Sequence, residues 1–142
     1  MSVSVDPENP VVKLCAEGMQ AEAEGKPEAA RERYLAAWNA RTSAYDGCVA
    51  AHYVARHQSR PEEGLHWNQT SLDLAREADG ELVRGFYASL YLNLGVSYET
   101  LGHRELARQN YDLAEAHLAD GPDGPYGDVV RGGVKAALVR TA

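Results

Sequence analysis

Apolar and small residues recur three or four positions apart along most of this chain, which is the spacing that puts side chains on one face of an α-helix. The clearest stretch has such residues on both sides of Gly102. Because a glycine between two amphipathic segments favours a turn, the stretch predicts two helices packed together, with small residues where the backbones approach. The defining positions are Tyr91, Leu94, Gly95, Tyr98, Gly102, Ala107, Tyr111 and Ala114.

The same spacing recurs upstream, so the helical pair is a repeat. A first copy contains Leu14, Gly18, Ala21, Gly25, Ala30, Tyr34 and Ala37. A degenerate copy about 34 residues later contains Cys48, His52, Ala55, Ser59, Gly64, Asn68 and Ser71. The step to the last copy is longer, and we predict a lengthened second helix in the middle copy, a turn at Asp79 and Gly80, and a lengthened first helix in the last copy.

These residues resemble the tetratricopeptide repeat (TPR), a helical hairpin of about 34 residues. The resemblance implies an all-α fold, a right-handed α-solenoid of three TPR-like hairpins at about 11–44, 45–80 and 81–120. The chain also looks similar to short stand-alone bacterial three-repeat proteins without an assigned function, which implies a bacterial, cytoplasmic protein. The segments that carry this second likeness are 51–58, 65–68 and 91–95.

The two ends of the chain depart from the repeat pattern. Residues 1–10 have no periodicity and are expected to be a flexible leader or a cap for a helix starting near Val11. Residues 121–142 begin with a Gly/Pro loop that cannot continue a helix, and helical spacing returns from Tyr126. We predict a C-terminal helix that caps the last repeat, as a stacked array requires.

Composition narrows the functional classes. The formal net charge is -7, and lysine and arginine do not cluster on any segment, which argues against a nucleic-acid partner. No apolar run is long enough for a membrane span, and the first residues lack the basic and apolar regions expected of a signal peptide. Cys15 and Cys48 have no paired spacing, so we expect free buried thiols in a reducing cytosol.

Common catalytic and cofactor motifs are missing from the sequence. It has no G-x-S-x-G, H-E-x-x-H or C-x-x-C motif and no glycine-rich loop after a strand, so no cofactor is expected and nothing favours an enzyme. His52 and His57 are five positions apart rather than four, and His66 has no cysteine at ligand spacing. A metal site is therefore not predicted.

The TPR resemblance implies that the first helices of the repeats line a concave groove for a peptide or protein. An aromatic ring, a guanidinium and an imidazole at Tyr53, Arg56 and His57 would suit a carboxylate or an aromatic group on that partner; the alternative is a solvated polar face. The lysine and arginine of the family's chaperone-tail clamp are absent. The predicted groove residues are Met19, Glu22, His52, Tyr53, Arg56, His57, Asn93, Val96 and Glu99.

His52 and Asn68 replace the glycine and tyrosine of the other copies. The two changes compensate in volume, and a hydrogen bond between the side chains would avoid an unsatisfied polar group. The competing arrangement turns Trp67 inward. Two functions stay open: an interaction module that can also form a homodimer, or a small-molecule binder or enzyme with a polar pocket centred on repeat two.

Overall fold

The computed structural model describes residues 6–78 and 80–142, and within those residues the regular structure is entirely helical. The prediction of an all-α protein is therefore confirmed. Helix α2 starts with a proline in its first turn, as α1 and α8 do, because proline needs no amide partner there. The helices are α1 (Pro10–Ala23), α2 (Pro27–Asn39), α3 (Ala44–Val54), α4 (Pro61–Ala78), α5 (Glu81–Arg84), α6 (Tyr87–Thr100), α7 (Arg104–Ala116) and α8 (Pro125–Arg140), with 3₁₀ turns at Ala55–His57 and Leu118–Asp120.

The chain divides into two compact units, Met1–Ala78 and Asp79–Ala142. In the first unit, α3 packs against both α1 and α2, which pack against each other, and α4 packs against α3. In the second unit, α8 packs against α6 and α7 in the same way that α3 packs against α1 and α2. Each unit thus contains a pair of helices followed by a third helix that contacts both.

The residues just before α1 form a cap rather than a loose strand of chain. Asn9 Oδ1 accepts the amide of Val11 at 2.8 Å, while Asn9 Nδ2 donates to Asp46 Oδ1 at 2.8 Å. Asp46 lies in the first turn of α3, so the cap ties the start of α1 to the start of α3. Residues 1–5 of the expected leader lie outside the described residues.

Gly25 and Gly102 form the turns of the two well-matched helical pairs, with φ of 75° and 83°. After each glycine, the amide of Lys26 or His103 bonds back to the carbonyl of Ala21 or Tyr98, at 2.9 Å in both cases. This is the Schellman closure of a helix, which requires a left-handed residue and therefore favours glycine.

Helices α1 and α2 approach closely where Gly18 meets the ring of Tyr34. A Cβ atom on Gly18 would lie 2.3 Å from Tyr34 Cε1, and one on Gly95 would lie 2.3 Å from Tyr111 Cε1. Both tyrosines are fully buried, at 0% exposure. The backbone of the first helix therefore packs directly on a flat ring from the second, which only glycine permits.

Helix lengths around the unit boundary match the prediction in part. Helix α4 is long, at 18 residues, and Gly80 has a φ of 93°, consistent with a turn; Asp79 is outside the described residues. The predicted lengthened first helix of repeat three is wrong, because Gly85 and Phe86 form a turn between α5 and α6. Glycine is a poor helix former, which favours a break at Gly85. The Phe86 amide donates to Val83 O at 2.9 Å, so the last turn of α5 tightens to an i to i−3 hydrogen bond.

The two cysteines are free thiols buried in the first unit, as predicted. Burial raises the pKa of Cys15 to about 12, because the thiolate would lose its hydration. The Sγ atom of Cys48 lies 3.6 Å from Ser71 Oγ. Both thiols are therefore packing groups rather than reactive ones.

The glycine–tyrosine contact predicts opposite effects for two alanine substitutions in the second unit. Gly95→Ala should lower the free energy of unfolding by about 2–3 kcal/mol, because the buried Tyr111 ring has no room to retreat. Gly132→Ala should raise it by about 0.5–1 kcal/mol, since Gly132 is exposed in α8 with open space around it. Urea unfolding of the three proteins measures both effects, and equal stabilities would show that the close contact is dispensable.

Candidate functional site

Glu22, near the end of α1, is the centre of a polar cluster in the first unit. Its Oε1 atom accepts hydrogen bonds from the Tyr34 hydroxyl and from Arg56 Nε at 3.0 Å, and its Oε2 atom accepts one from Arg56 Nη2 at 2.7 Å. His57 Nε2 lies 3.1 Å from Oε1. We call Glu22, Tyr34, Arg56 and His57 the Glu22 node.

Local structure explains how these side chains meet. The Tyr34 ring lies against Gly18, one turn before Glu22, so its hydroxyl reaches the carboxylate. At its end α3 tightens into a 3₁₀ turn, which carries Arg56 and His57. The chain then becomes extended at Gln58, whose Nε2 atom donates to Val54 O at 2.8 Å. The node thus joins α1, α2 and the end of α3.

Aromatic rings surround the Tyr34 ring. Its centroid is 5.2 Å from that of Tyr53 and 5.9 Å from that of His57, and both pairs are stacked. His52 meets Tyr53 edge to face at 5.2 Å. Met19 lies one turn before Glu22 and is 44% exposed. Of the predicted groove residues, Glu22, His52, Tyr53, Arg56 and His57 are thus brought together, with Met19 beside them.

The electrostatics of the node keep Glu22 ionised. Burial raises the pKa of a carboxylate, but the hydrogen bonds from Arg56, Tyr34 and His57 and the charge of Arg56 outweigh it and lower the pKa to about 2. Burial and the neighbouring carboxylate raise the pKa of Tyr34. At neutral pH, Glu22 therefore cannot act as a proton donor, and Tyr34 stays protonated as the donor to it.

A matching cluster lies in the second unit around Glu99. Glu99 Oε1 accepts the Tyr111 hydroxyl at 2.6 Å, and Arg140 donates from Nε to Oε2 at 3.1 Å and from Nη2 to Oε1 at 3.2 Å. The hydrogen bonds from Arg140 and Tyr111 lower the pKa of Glu99, and burial and Glu99 raise that of Tyr111 to about 12. We call Glu99, Tyr111 and Arg140 the Glu99 node.

Three members of the nodes were not predicted as site residues: Tyr34, Tyr111 and Arg140. A sequence signal existed for the tyrosines, since each node has Gly-x3-Glu and a tyrosine twelve residues after the glutamate. No fixed spacing reveals the arginines, because Arg56 follows its glutamate by 34 residues and Arg140 by 41. Asn93 and Glu99 lie in the second unit, both partly buried.

The predicted contact between His52 and Asn68 stays a prediction. Asn68 is 8% exposed and His52 is partly buried, as the volume exchange requires. Trp67 is also partly buried and meets Trp38 edge to face at 5.0 Å. Asn68 thus occupies a buried position while Trp67 packs beside it on the core of the first unit.

The described residues contain neither a metal-binding cluster nor a candidate membrane span. Across residues 6–78 and 80–142, no three His, Cys, Asp or Glu side chains are grouped so that they could hold a metal ion. His66 is exposed and packs its ring on Trp67 at 5.7 Å. None of the helices described combines the length and apolar character that crossing a membrane requires.

The low pKa of Glu22 predicts a pH-dependent loss of stability in the variant Glu22→Gln. The ionised carboxylate stabilises the folded state, and this contribution is complete above pH 4.5 and disappears as the pH falls toward 2. Glu22→Gln should therefore lower the free energy of unfolding by about 2–3 kcal/mol at pH 7 and by little near pH 2. Glu99→Gln should cost less, because the Glu99 side chain is 32% exposed against 19% for Glu22. Equal losses at both pH values would contradict the node.

The lowered pKa of His52 predicts a second effect of pH on stability, at milder acidity than that of Glu22. Burial, with a contribution from the charge of Arg56, lowers the pKa of His52 from 6.5 to about 4. Between these values the unfolded chain binds a proton that the folded chain does not, so stability should fall as the pH drops from about 6.5 to 4, by at most about 1.4 kcal/mol per pH unit. Urea unfolding from pH 4.5 to 7.5 should show a flatter profile for His52→Gln, whereas the exposed control His66→Gln should keep the wild-type slope.

No protein-family model, curated protein or solved structure matches this chain. The likeness to the TPR therefore rests on the residues of the chain itself, and the function has to be inferred from the two nodes and the surfaces beside them.

Proposed function

We propose that this protein is an interaction module that binds a peptide or a protein segment, built as an α-solenoid of three TPR-like hairpins with α8 as its capping helix. The observation that carries the proposal is the recurrence of one node, with the same glycine, glutamate and tyrosine spacing, in both units. Recurring helical units that stack on one another create extended concave surfaces, which repeat proteins use to bind their partners.

Exposed side chains beside the nodes support a binding role. Met19 directly follows Gly18, and Val96 directly follows Gly95; their exposed fractions are 44% and 45%. A single exposed apolar residue on a surface is ordinary. The same exposed apolar position next to the same ionic group in both units is a repeated feature, and it suits a partner that offers apolar and polar groups in alternation.

The chemistry of the first unit favours this role over an enzyme centred on repeat two. The carboxylate, guanidinium and hydroxyl of the Glu22 node bind one another, and the ionised Glu22 is a poor general acid at neutral pH. A depression of about 430 Å³ lies elsewhere in the unit, where α2 turns into α3. It is lined by Arg41, Thr42, Ser43, Ala44, Leu74 and Glu77.

A reducing cytoplasm fits this proposal. Cys15 and Cys48 are free and buried, and a thiol with a raised pKa resists oxidation. The proposal keeps self-association into a homodimer as a second property of the chain, which sedimentation at several concentrations tests.

Selection from a random peptide library on the immobilised full chain tests the proposal. Wild type should enrich related sequences, and Met19→Glu combined with Val96→Glu should abolish the enrichment, because charged side chains would replace the apolar contacts. The matched control is Leu106→Glu with Leu113→Glu on α7, where the exposed fractions are 41% and 44%. It adds the same charge and should bind like wild type. Absence of enrichment by wild type, or equal loss in both variants, would refute the proposed function.

A further inference from the structure

We infer that Arg56 and Arg140 each offer a second pair of N–H donors that binds a carboxylate group of the partner, so that the module selects acidic peptides. This inference rests on the proposed function and specifies the chemistry of the ligand. It concerns one contact in each unit, and each contact is argued from its own node.

The geometry of the guanidinium group shows which donors remain. Arg56 binds Glu22 through Nε and Nη2, and Arg140 binds Glu99 through the same two nitrogens. A guanidinium carries five N–H groups in a planar fork. Its side edge, formed by Nε and Nη2, is thus used in both nodes, while its end edge, formed by Nη1 and the second hydrogen of Nη2, faces a different direction in the same plane.

Both arginine side chains reach solvent. The side chain of Arg56 is 50% exposed and that of Arg140 is 48% exposed. Among the described residues, Arg56 donates its hydrogen bonds to Glu22, whereas Arg140 bonds to Glu99 and Tyr111 of its own node. Because the glutamate already fixes each guanidinium, a ligand that binds the end edge loses less side-chain entropy than one that binds a mobile arginine.

A carboxylate fits this edge better than other anions do. Two parallel N–H groups match the two coplanar oxygens of a carboxylate. Each glutamate balances the charge of its arginine, so the node lacks the excess positive charge that a phosphate dianion requires. The chain has a formal net charge of -7, which disfavours anions in general and makes a local, geometric attraction necessary.

The neighbouring apolar side chain adds a second feature to the ligand. Met19 and Glu22 lie three positions apart on α1, and Val96 and Glu99 three apart on α6, so each exposed apolar side chain shares a helix face with its node. The expected ligand is an extended peptide with an Asp or Glu close to an apolar residue.

Fluorescence anisotropy with designed peptides and the full chain tests the inference. The starting peptide contains Glu beside Leu and has an amidated C-terminus; its variants carry Gln or Lys in place of Glu, and one Gln variant has a free C-terminus. The Glu peptide should bind about tenfold tighter than the amidated Gln peptide, as expected for one bidentate charge-assisted contact. Strong binding by the Gln peptide with a free C-terminus would support the same edge but assign it to a terminal carboxylate.

Conservative substitutions identify the arginines. Arg56→Lys and Arg140→Lys keep the charge but remove the paired donors, so each should reduce the preference for Glu over Gln. Arg60→Lys and Arg131→Lys are controls, because these arginines form ion pairs outside the nodes, with Glu62 and Asp128. The side-chain N–H resonances of Arg56 and Arg140 in wild type should also shift on addition of the Glu peptide, a readout that needs no variant.

Results that would refute the carboxylate contact differ from those that would refute the proposed peptide-binding function. Equal affinity for the Glu and Gln peptides, or tighter binding of the Lys peptide, would overturn the carboxylate contact and leave a peptide-binding function that uses other groups. Unshifted arginine resonances at saturation would overturn it as well. A chain that binds none of these peptides and enriches none from the library would refute the proposed function together with the inference.

Discussion

The contact between a glycine backbone and a buried tyrosine ring is the constraint on which both units depend. Gly18 and Gly95 have no room for a Cβ atom because Tyr34 and Tyr111 lie flat against them. That approach places each hydroxyl one turn further along the first helix, where a glutamate accepts it. A requirement of packing thus fixes the position of a negative charge, and this charge in turn holds an arginine from a later element, the 3₁₀ turn after α3 or helix α8. The position of the polar groups in each node therefore depends on the packing of the glycine and tyrosine in the core.

The middle of the chain shows what happens where the constraint is absent. His52 and Asn68 stand in place of the glycine and tyrosine, and Arg56 stands where the other two copies have the glutamate. The 3₁₀ turn after α3 contributes Arg56 and His57 to the node of the preceding helical pair. We expected this polar group to meet a ligand directly, but one edge of Arg56 already has a carboxylate partner within the unit. The proposed ligand contact therefore involves the remaining edge of the Arg56 guanidinium rather than the whole cluster.

Sequence spacing predicted the helices and the closest contacts well, because both depend on neighbours three or four positions apart. It predicted the turn glycines and the small and aromatic positions between them, and the all-helical class. It did not predict the turn at Gly85 and Phe86, where apolar spacing continues across a break. It also missed Arg140, because an arginine on a helix after a loop can reach a glutamate at no fixed interval. Polar pairs between residues that are distant in sequence depend on how the helices pack in three dimensions, and a periodic sequence pattern does not predict them.

Each glutamate is paired with an arginine from a later element, and this has a consequence for how such a chain can be lengthened or shortened. The pair α1 and α2 is not a complete structural unit, since the partly buried Glu22 would lose its cation, Arg56, if α3 and the 3₁₀ turn after it were removed. Each node is complete only when three successive elements are present: α1, α2 and the segment after α3 in the first unit, and α6, α7 and α8 in the second. An engineer who adds or deletes a repeat should therefore cut after the donating arginine rather than at the turn between hairpins, because a cut at the turn separates an acid from its base.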